Sequence, residues 1–186
     1  ASGAVITGSN GKGSTAAMCA ALLAQTGARV GLFTSPHLVA LNERFRIGDE
    51  DIRDDELRTH WARVAGAAHS IGEADKLGGF EFLFLIAADW FAARGCAFTV
   101  WEAGIGGRLD VTRLIQARRT ALTSLDLEHT SLLGATLEDI ARDKLDAAPA
   151  GDSPTRAGAV TPLQTRPGSK LLIAWAAVGL PLGWGI

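Results

Sequence analysis

Short apolar runs alternate along this chain with longer stretches in which apolar residues recur every three or four positions. Residues 4–7, 29–33, 96–103 and 119–125 read as strands. Residues 14–25, rich in Ala and Leu and followed by Gly27, predict a helix. Residues 34–50 hold Pro36, Asn42 and Gly48 and predict a long irregular segment. Asp54 is placed to cap the next helix, with Asp55 and Glu56 in its first turn. Leu57, Trp61, Val64, Ala65 and Ala68 share one face of that helix and are expected to be core, which leaves His60 and His69 on its presumed polar side. After a polar connection over residues 70–79, residues 80–94 predict a mostly buried helix closed by Gly95, with Phe80, Phe82, Phe84, Trp90 and Phe91 around its axis. Residues 104–110 form a glycine turn, and residues 136–144 a helix opened by Thr136 and Asp139 as a capping box. Strands alternating with helices predict an α/β fold, a mostly parallel sheet with helices on both faces and ligands at the carboxyl ends of its strands.

Composition narrows the partners more than the fold. The 186 residues are 47% hydrophobic and 20% charged, enough for one domain with a sizeable core. A net charge of −2 with both signs interspersed offers no basic stripe for nucleic acid. No apolar run reaches the roughly eighteen residues that a membrane span needs, the uncharged end over 171–186 being too short and too broken by Gly and Pro, so a small molecule is the expected partner. Cys19 and Cys96 have neither metal-ligand nor redox-motif spacing and are expected to be buried free thiols in a reducing cytoplasm. The chain begins at Ala1, directly before its first strand, and is expected to be a piece of something longer.

The chemistry concentrates in Gly8, Ser9, Asn10, Gly11, Lys12, Gly13, Ser14 and Thr15, a glycine loop between a strand and a helix. Such a loop turns successive backbone N–H groups inward, adds the positive end of the helix, and here supplies a lysine, which together cradle phosphate. The spacing departs from the general pattern, because Gly13 stands where a hydroxyl would follow the lysine. That hydroxyl ordinarily binds Mg2+, so the metal is expected to draw its ligands from elsewhere. Thr34, Ser35 and His37, then Glu102, then Asp126, Glu128 and His129 all follow predicted strands. A parallel sheet would bring them to the edge that carries the loop, a plausible cage for a hard cation also held by ATP oxygens. Lys144, ending a helix, reads most simply as a complement to the helix dipole.

The strings TGSNGKGST, FTSPHLVALNERFRI, FEF, WEAGIGGRLDVT and SLDLEHTSLLGATLEDIARDK, in that order, resemble the ATP-binding domain of the folylpolyglutamate and dihydrofolate synthases, members of the Mur ligase superfamily. The resemblance covers nearly all of residues 3–144 and implies a P-loop fold of the Mur central-domain type. It implies an ATP-dependent ligase with Mg2+ that phosphorylates the carboxylate of dihydropteroate or of a glutamyl-folate and joins it to L-glutamate. Residue by residue, it implies Lys12 and the loop amides on the phosphates, and Ser35, Glu102 and His129 as metal ligands. It further implies a carbamylated Lys144 on a second metal ion, and Gly78, Phe80, Asp110 and Val111 around the pterin. Catalysis would then rest on Lys12, Glu102, His129 and Lys144. A cytoplasmic monomer is expected.

Three departures stand beside this. Gly78 replaces a frequent Thr, Arg113 a frequent Asn, and Glu128 the usual Asp. After Lys144 the charge density drops, leaving only Asp146, Asp152, Arg156, Arg166 and Lys170. Residues 145–156 are expected to be a divergent loop or a compensated frameshift, and residues 157–186 a remaining strand, helix and strand, with the helix over 170–178 and the last strand over 180–184. The smaller second domain of such enzymes, which completes the glutamate site, is absent, so the chain alone is expected to bind nucleotide weakly and not to turn over. The alternative reading is a truncated nucleotide-binding remnant without ligase activity.

Overall fold

The computed structural model describes residues 1–115 and 117–148, together with the backbone of 174–175. Strand β1 (Ser2–Thr7) runs into helix α1 (Lys12–Ala24), followed by β2 (Val30–Phe33). A 3-10 turn over Leu41–Arg44 leads into the short strands β3 (Phe45–Ile47) and β4 (Glu50–Asp51), then helix α2 (Asp54–Ser70). Helix α3 (Gly79–Ala93), β5 (Phe98–Glu102), β6 (Ala117–Leu122), the one-turn helix α4 (Thr130–Leu133) and α5 (Leu137–Leu145) follow, and Ala174–Trp175 is β7.

The described strands form one sheet in the order β4-β3-β2-β5-β1-β6-β7. Its centre, β2, β5, β1 and β6, is parallel, and antiparallel β3, β4 and β7 close the edges. The register sets Ile6 beside Glu102, Thr7 beside Leu122, and Phe33 beside Trp101. The carboxyl ends of the parallel strands therefore emerge at one edge, where α/β sheets bind ligands. Side chains alternate across the sheet. Val5, Phe33 and Trp101 join a core with Phe84, Trp90 and Phe91 on one face, while Ile6, Leu32 and Val100 join Ala16 and Ala20 of α1 on the other. Both faces are covered, as expected. Gly31 lies under the Phe91 ring, where a Cβ would come within 2.6 Å of it.

Several expectations change. The 34–50 segment is not wholly irregular, because Phe45–Ile47 pairs with β2 and returns through Gly48, whose φ is 60°. Phe45 is fully buried and Ile47 packs against the same core, so these two side chains pin the hairpin to the sheet. Arg53, not Asp54, is the N-cap of α2, and Asp54 joins Asp55 and Glu56 in the first turn. Trp61 is 45% exposed and packs edge-on to Phe82 rather than entering the core. His60 is buried, not on a polar face: its Nδ1 lies 2.6 Å from Asp89 Oδ2, and Arg63 pairs with the other oxygen. It stands four and eight residues before the buried Val64 and Ala68, and a carboxylate on α3 makes its burial tolerable. Cys96 precedes β5 rather than lying in it, and Cys19 is only half-buried; both thiols are free, with pKa values raised by burial. Ala174–Trp175 is a strand antiparallel to β6, where a helix was expected. An unpaired sheet edge offers a row of backbone partners that overrides local propensity. The expected loop at 149–156, and the rest of the strand, helix and strand over 157–186, lie outside the described residues. Among the described residues no helix is long and apolar enough to cross a membrane.

Candidate functional site

The glycine loop crosses from β1 to α1 as expected, with Gly8 at φ 141° and Gly11, the N-cap, at φ 79°. Gly8 has no room for a side chain: a Cβ there would stand 2.0 Å from Thr123 Oγ1. The loop is laced to the segment after β6. Ser9 N–H donates to Ser124 O (2.8 Å), Asn10 N–H to Ser124 Oγ (2.9 Å), and Thr123 Oγ1 to Asn10 O (2.7 Å). Asp126 N–H donates to Ser9 Oγ (3.0 Å). Lys12 folds back over its own loop, its Nζ 2.9 Å from Gly8 O and 3.2 Å from Ser9 O. Burial and the neighbouring Lys144 ammonium lower the Lys12 pKa, against the opposing pull of Glu128 and Glu102.

Gly13 gives the loop its distinctive feature. A Cβ at this position would lie 3.3 Å from Glu102 Oε2, so the missing side chain makes room for a carboxylate reaching in from the end of β5. Glu102 is 4% exposed and accepts the Ser35 N–H at 2.8 Å. Burial raises its pKa, only partly countered by that N–H, by Lys12 and Arg44, and by the Gly13 N–H. Among the described residues it has no ion-pair partner. Ser35 and Glu102 thus meet through the Ser35 backbone N–H. His129 does not join them in the cavity: it is exposed at the N-terminus of α4, with φ 45°. No cluster of three or more His, Cys, Asp or Glu suited to a metal occurs among the described residues.

Lys144 is buried, contrary to a simple dipole-capping role. Its Nζ donates to Gly8 O (3.1 Å) and pairs with Glu128 Oε1 (2.6 Å), tying the end of α5 to the phosphate loop. Burial alone would raise the Glu128 pKa, but the Lys144 bond and charge, with Ser9 and Lys12, hold it below the ordinary range. Asp143, beside it, was not anticipated. Its Oδ1 accepts the N–H groups of Gly107 (2.9 Å) and Arg108 (3.4 Å), and its Oδ2 the Arg108 Nε (3.2 Å). Asp143 and Lys144 lie three and four residues after the buried Ile140, a spacing that places all three on one face and was a legible signal.

A cavity of about 790 Å3 opens along this edge. Ser9–Ser14, Ser35 and Glu102 form part of its wall, and Phe80, Arg108, Asp110 and Val111 another part. Gly8 and Thr15 do not line it, nor does Gly78, the N-cap of α3. Asp110 lines it but is already engaged: Oδ2 accepts Gly104 N–H (2.9 Å) and Oδ1 accepts Thr112 N–H (2.9 Å). Its first role is to shape the turn after β5. Arg44, also unanticipated, borders the cavity and donates from Nε to His37 Nδ1 (2.9 Å).

A glycine loop at the carboxyl edge of a parallel sheet, opening a helix with a lysine near its start, is the arrangement in which α/β domains hold phosphate groups. No protein-family model matches the chain. It is 39% identical over 158 residues to a probable bifunctional folylpolyglutamate synthase/dihydropteroate synthase of Halobacterium salinarum, covering 80% of this chain and 18% of that protein. A solved FPGS–AMPPCP–folate complex matches with TM-score 0.75 and 36% identity, over 78% of this chain and 36% of that one. A bifunctional folylpolyglutamate synthase/dihydrofolate synthase with Mn, AMPPNP and L-glutamate bound gives 0.70 and 35%, over 78% and 35%. Over the matched stretch the chain is similar in sequence and fold to folylpolyglutamate and dihydrofolate synthases. It spans less than a fifth of the Halobacterium relative and about a third of each solved chain.

Proposed function

We propose that this chain is the ATP-binding part of a ligase that adds L-glutamate to dihydropteroate or to a glutamyl-folate. In the first step an oxygen of the acceptor carboxylate attacks the γ-phosphorus of ATP, the bond to the β-phosphate oxygen breaks, and ADP leaves. In the second the glutamate amine attacks the acyl carbon and phosphate departs with the bonding pair. Neither step needs a protein nucleophile, so positioning and charge neutralisation carry the catalysis. The loop N–H groups and Lys12 would hold the phosphates, phosphate oxygens taking the place of the Gly8 and Ser9 carbonyls that now occupy the lysine.

The Glu102 carboxylate under Gly13 is the observation that carries this reading. A buried carboxylate without a paired cation is costly by itself and fits a site for a divalent ion. Ser35 and Glu102 would hold Mg2+; His129, exposed at the start of α4 and outside the cavity, would have to swing in to serve as the proposed third donor, and Lys144, if carbamylated, would be a ligand to a second ion. Such ions neutralise charge on the phosphoryl oxygens. The pterin is assigned to the wall with Phe80, Asp110 and Val111, Gly78 lying at the start of the helix that carries Phe80. We infer a cytoplasmic monomer from the free thiols and mixed-sign surface charge.

The test is ADP release with dihydropteroate and tetrahydrofolate in parallel, each with and without L-glutamate, on the chain and on the full reading frame that contains it. Glutamate-dependent release from the full protein, lost in Lys12→Ala, is the expected result. Release that needs neither folate nor glutamate would overturn the reading.

A further inference from the structure

We propose that Arg108 is the clamp for the acceptor's carboxylate, with Asp143 as its positioning residue; this rests on the ligase reading above. Arg108 stands in the turn after β5 and borders both the main cavity and a smaller one beside α4 and α5. Its backbone is fixed at both ends, N–H to Asp143 Oδ1 and carbonyl to Arg113 Nη1 (2.7 Å). Its side chain is held by the inner edge alone, Nε on Asp143 Oδ2. The two Nη groups make no hydrogen bond among the described residues, and the side chain is 55% exposed while Asp143 is only 10% exposed. A guanidinium anchored through Nε keeps the outer edge that pairs bidentately with a carboxylate.

The turn beneath it cannot drift. A Cβ on Gly107 would stand 2.5 Å from Lys144 O and 2.7 Å from Asp143 O, so the turn lies directly on the end of α5. The other cations of the cavity are committed elsewhere, Lys12 to the loop carbonyls and Arg44 to His37. Phosphate is served by the loop and the start of α1. Arg108, bordering the cavity that Phe80 and Val111 also line, fits an acceptor with a flat apolar body that ends in a carboxylate. Because Asp143 and Lys144 are neighbours on α5, the element that fixes Arg108 also grips Gly8 of the phosphate loop. That shared support sets the distance between the carboxylate and the phosphate it attacks.

Tryptophan-fluorescence titration of the 186-residue chain with pteroic acid and with its neutral carboxamide tests the assignment. The unmodified chain should prefer the acid. Arg108→Ala should weaken acid binding by about tenfold or more and carboxamide binding by less than about twofold. Arg108→Lys, which keeps the charge without the fork, should fall between. Asp143→Asn retains an acceptor for Gly107 N–H but not the charge facing Arg108, and should also lower the acid preference while circular dichroism stays unchanged. An acid preference that survives Arg108→Ala overturns the proposal, as does equal weakening of both ligands. If the unmodified chain binds ATP but neither pterin compound, the ligase reading itself falls and this inference with it.

Discussion

Replacing Glu102 by Gln should make the ligand-free chain more stable and its metal-dependent nucleotide binding worse. The carboxylate is 4% exposed, accepts the Ser35 N–H at 2.8 Å, is faced by the Gly13 N–H, and has no ion-pair partner among the described residues. Gln has nearly the same volume and keeps a carbonyl oxygen for the Ser35 N–H, so packing changes little. Removing the charge relieves a desolvation penalty of about 1–3 kcal/mol. The lost attraction to Lys12 and Arg44 opposes that gain, as does the weaker bond from Ser35. A net stabilisation of about 1 kcal/mol is expected, roughly 2–4 °C in Tm for a chain of this size. Thermal melts without divalent ion read that term directly. Melts with saturating ATP and Mg2+ read the other, because a ligand of the native state adds stability in proportion to the logarithm of its excess over Kd. A tenfold weaker site loses about 1.4 kcal/mol of that increment. A variant less stable than the parent without ligand would show Glu102 to be a structural residue. An unchanged increment with ATP and Mg2+ would remove it from the metal site.

Three further outcomes are expected. Gly8→Ala forces a Cβ to within 2.0 Å of Thr123 Oγ1 at φ 141° and should cost about 3 kcal/mol or more in urea unfolding, with loss of ATP binding; near-normal stability would show the loop free to rearrange. Glu56 has a lowered pKa, burial being outweighed by hydrogen bonds from Trp90 and Arg94 and by the charges of Arg94 and Arg53. Its contribution is present above the unfolded value of about 4.3 and is lost as pH falls through the lower folded value. Glu56→Gln should therefore destabilise the chain at neutral pH and flatten its acid limb in urea titrations, and an unchanged limb would contradict that. Carbamylation of Lys144 would exchange a cation for an anion beside Glu128, so it should form only with divalent ion present. A 13C-bicarbonate NMR signal that needs Mg2+ and vanishes in Lys144→Arg is the expected result, and a signal independent of metal would refute the electrostatic reasoning.

The phosphate loop was legible because its parts are consecutive: glycines for positive φ, a lysine, and a helix that starts where they end. The same holds for Thr136, whose capping box with Asp139 closes within one turn. For His60, for Asp143 and for the dipole reading of Lys144, the sequence misleads for one reason. Polarity suggests exposure, yet each shares a face with buried apolar residues, Val64 and Ala68 for His60 and Ile140 for the other two. Their partners are Asp89, the Gly107 turn, and Glu128 with Gly8, all on other elements. A buried polar group is tolerable only when such a partner exists, and spacing along one helix cannot reveal it.

The sequence by itself determined the alternation of strands and helices, the anion-binding loop, and the gathering of polar residues at strand ends, since these follow from local periodicity and backbone freedom. Only the tertiary structure decided that Glu102 fills the space left by Gly13, that His129 stays outside the cavity, and that one turn of α5 grips both the loop and Arg108. Those facts depend on distances between segments far apart in the chain, and sheet register and packing, not local propensity, set such distances.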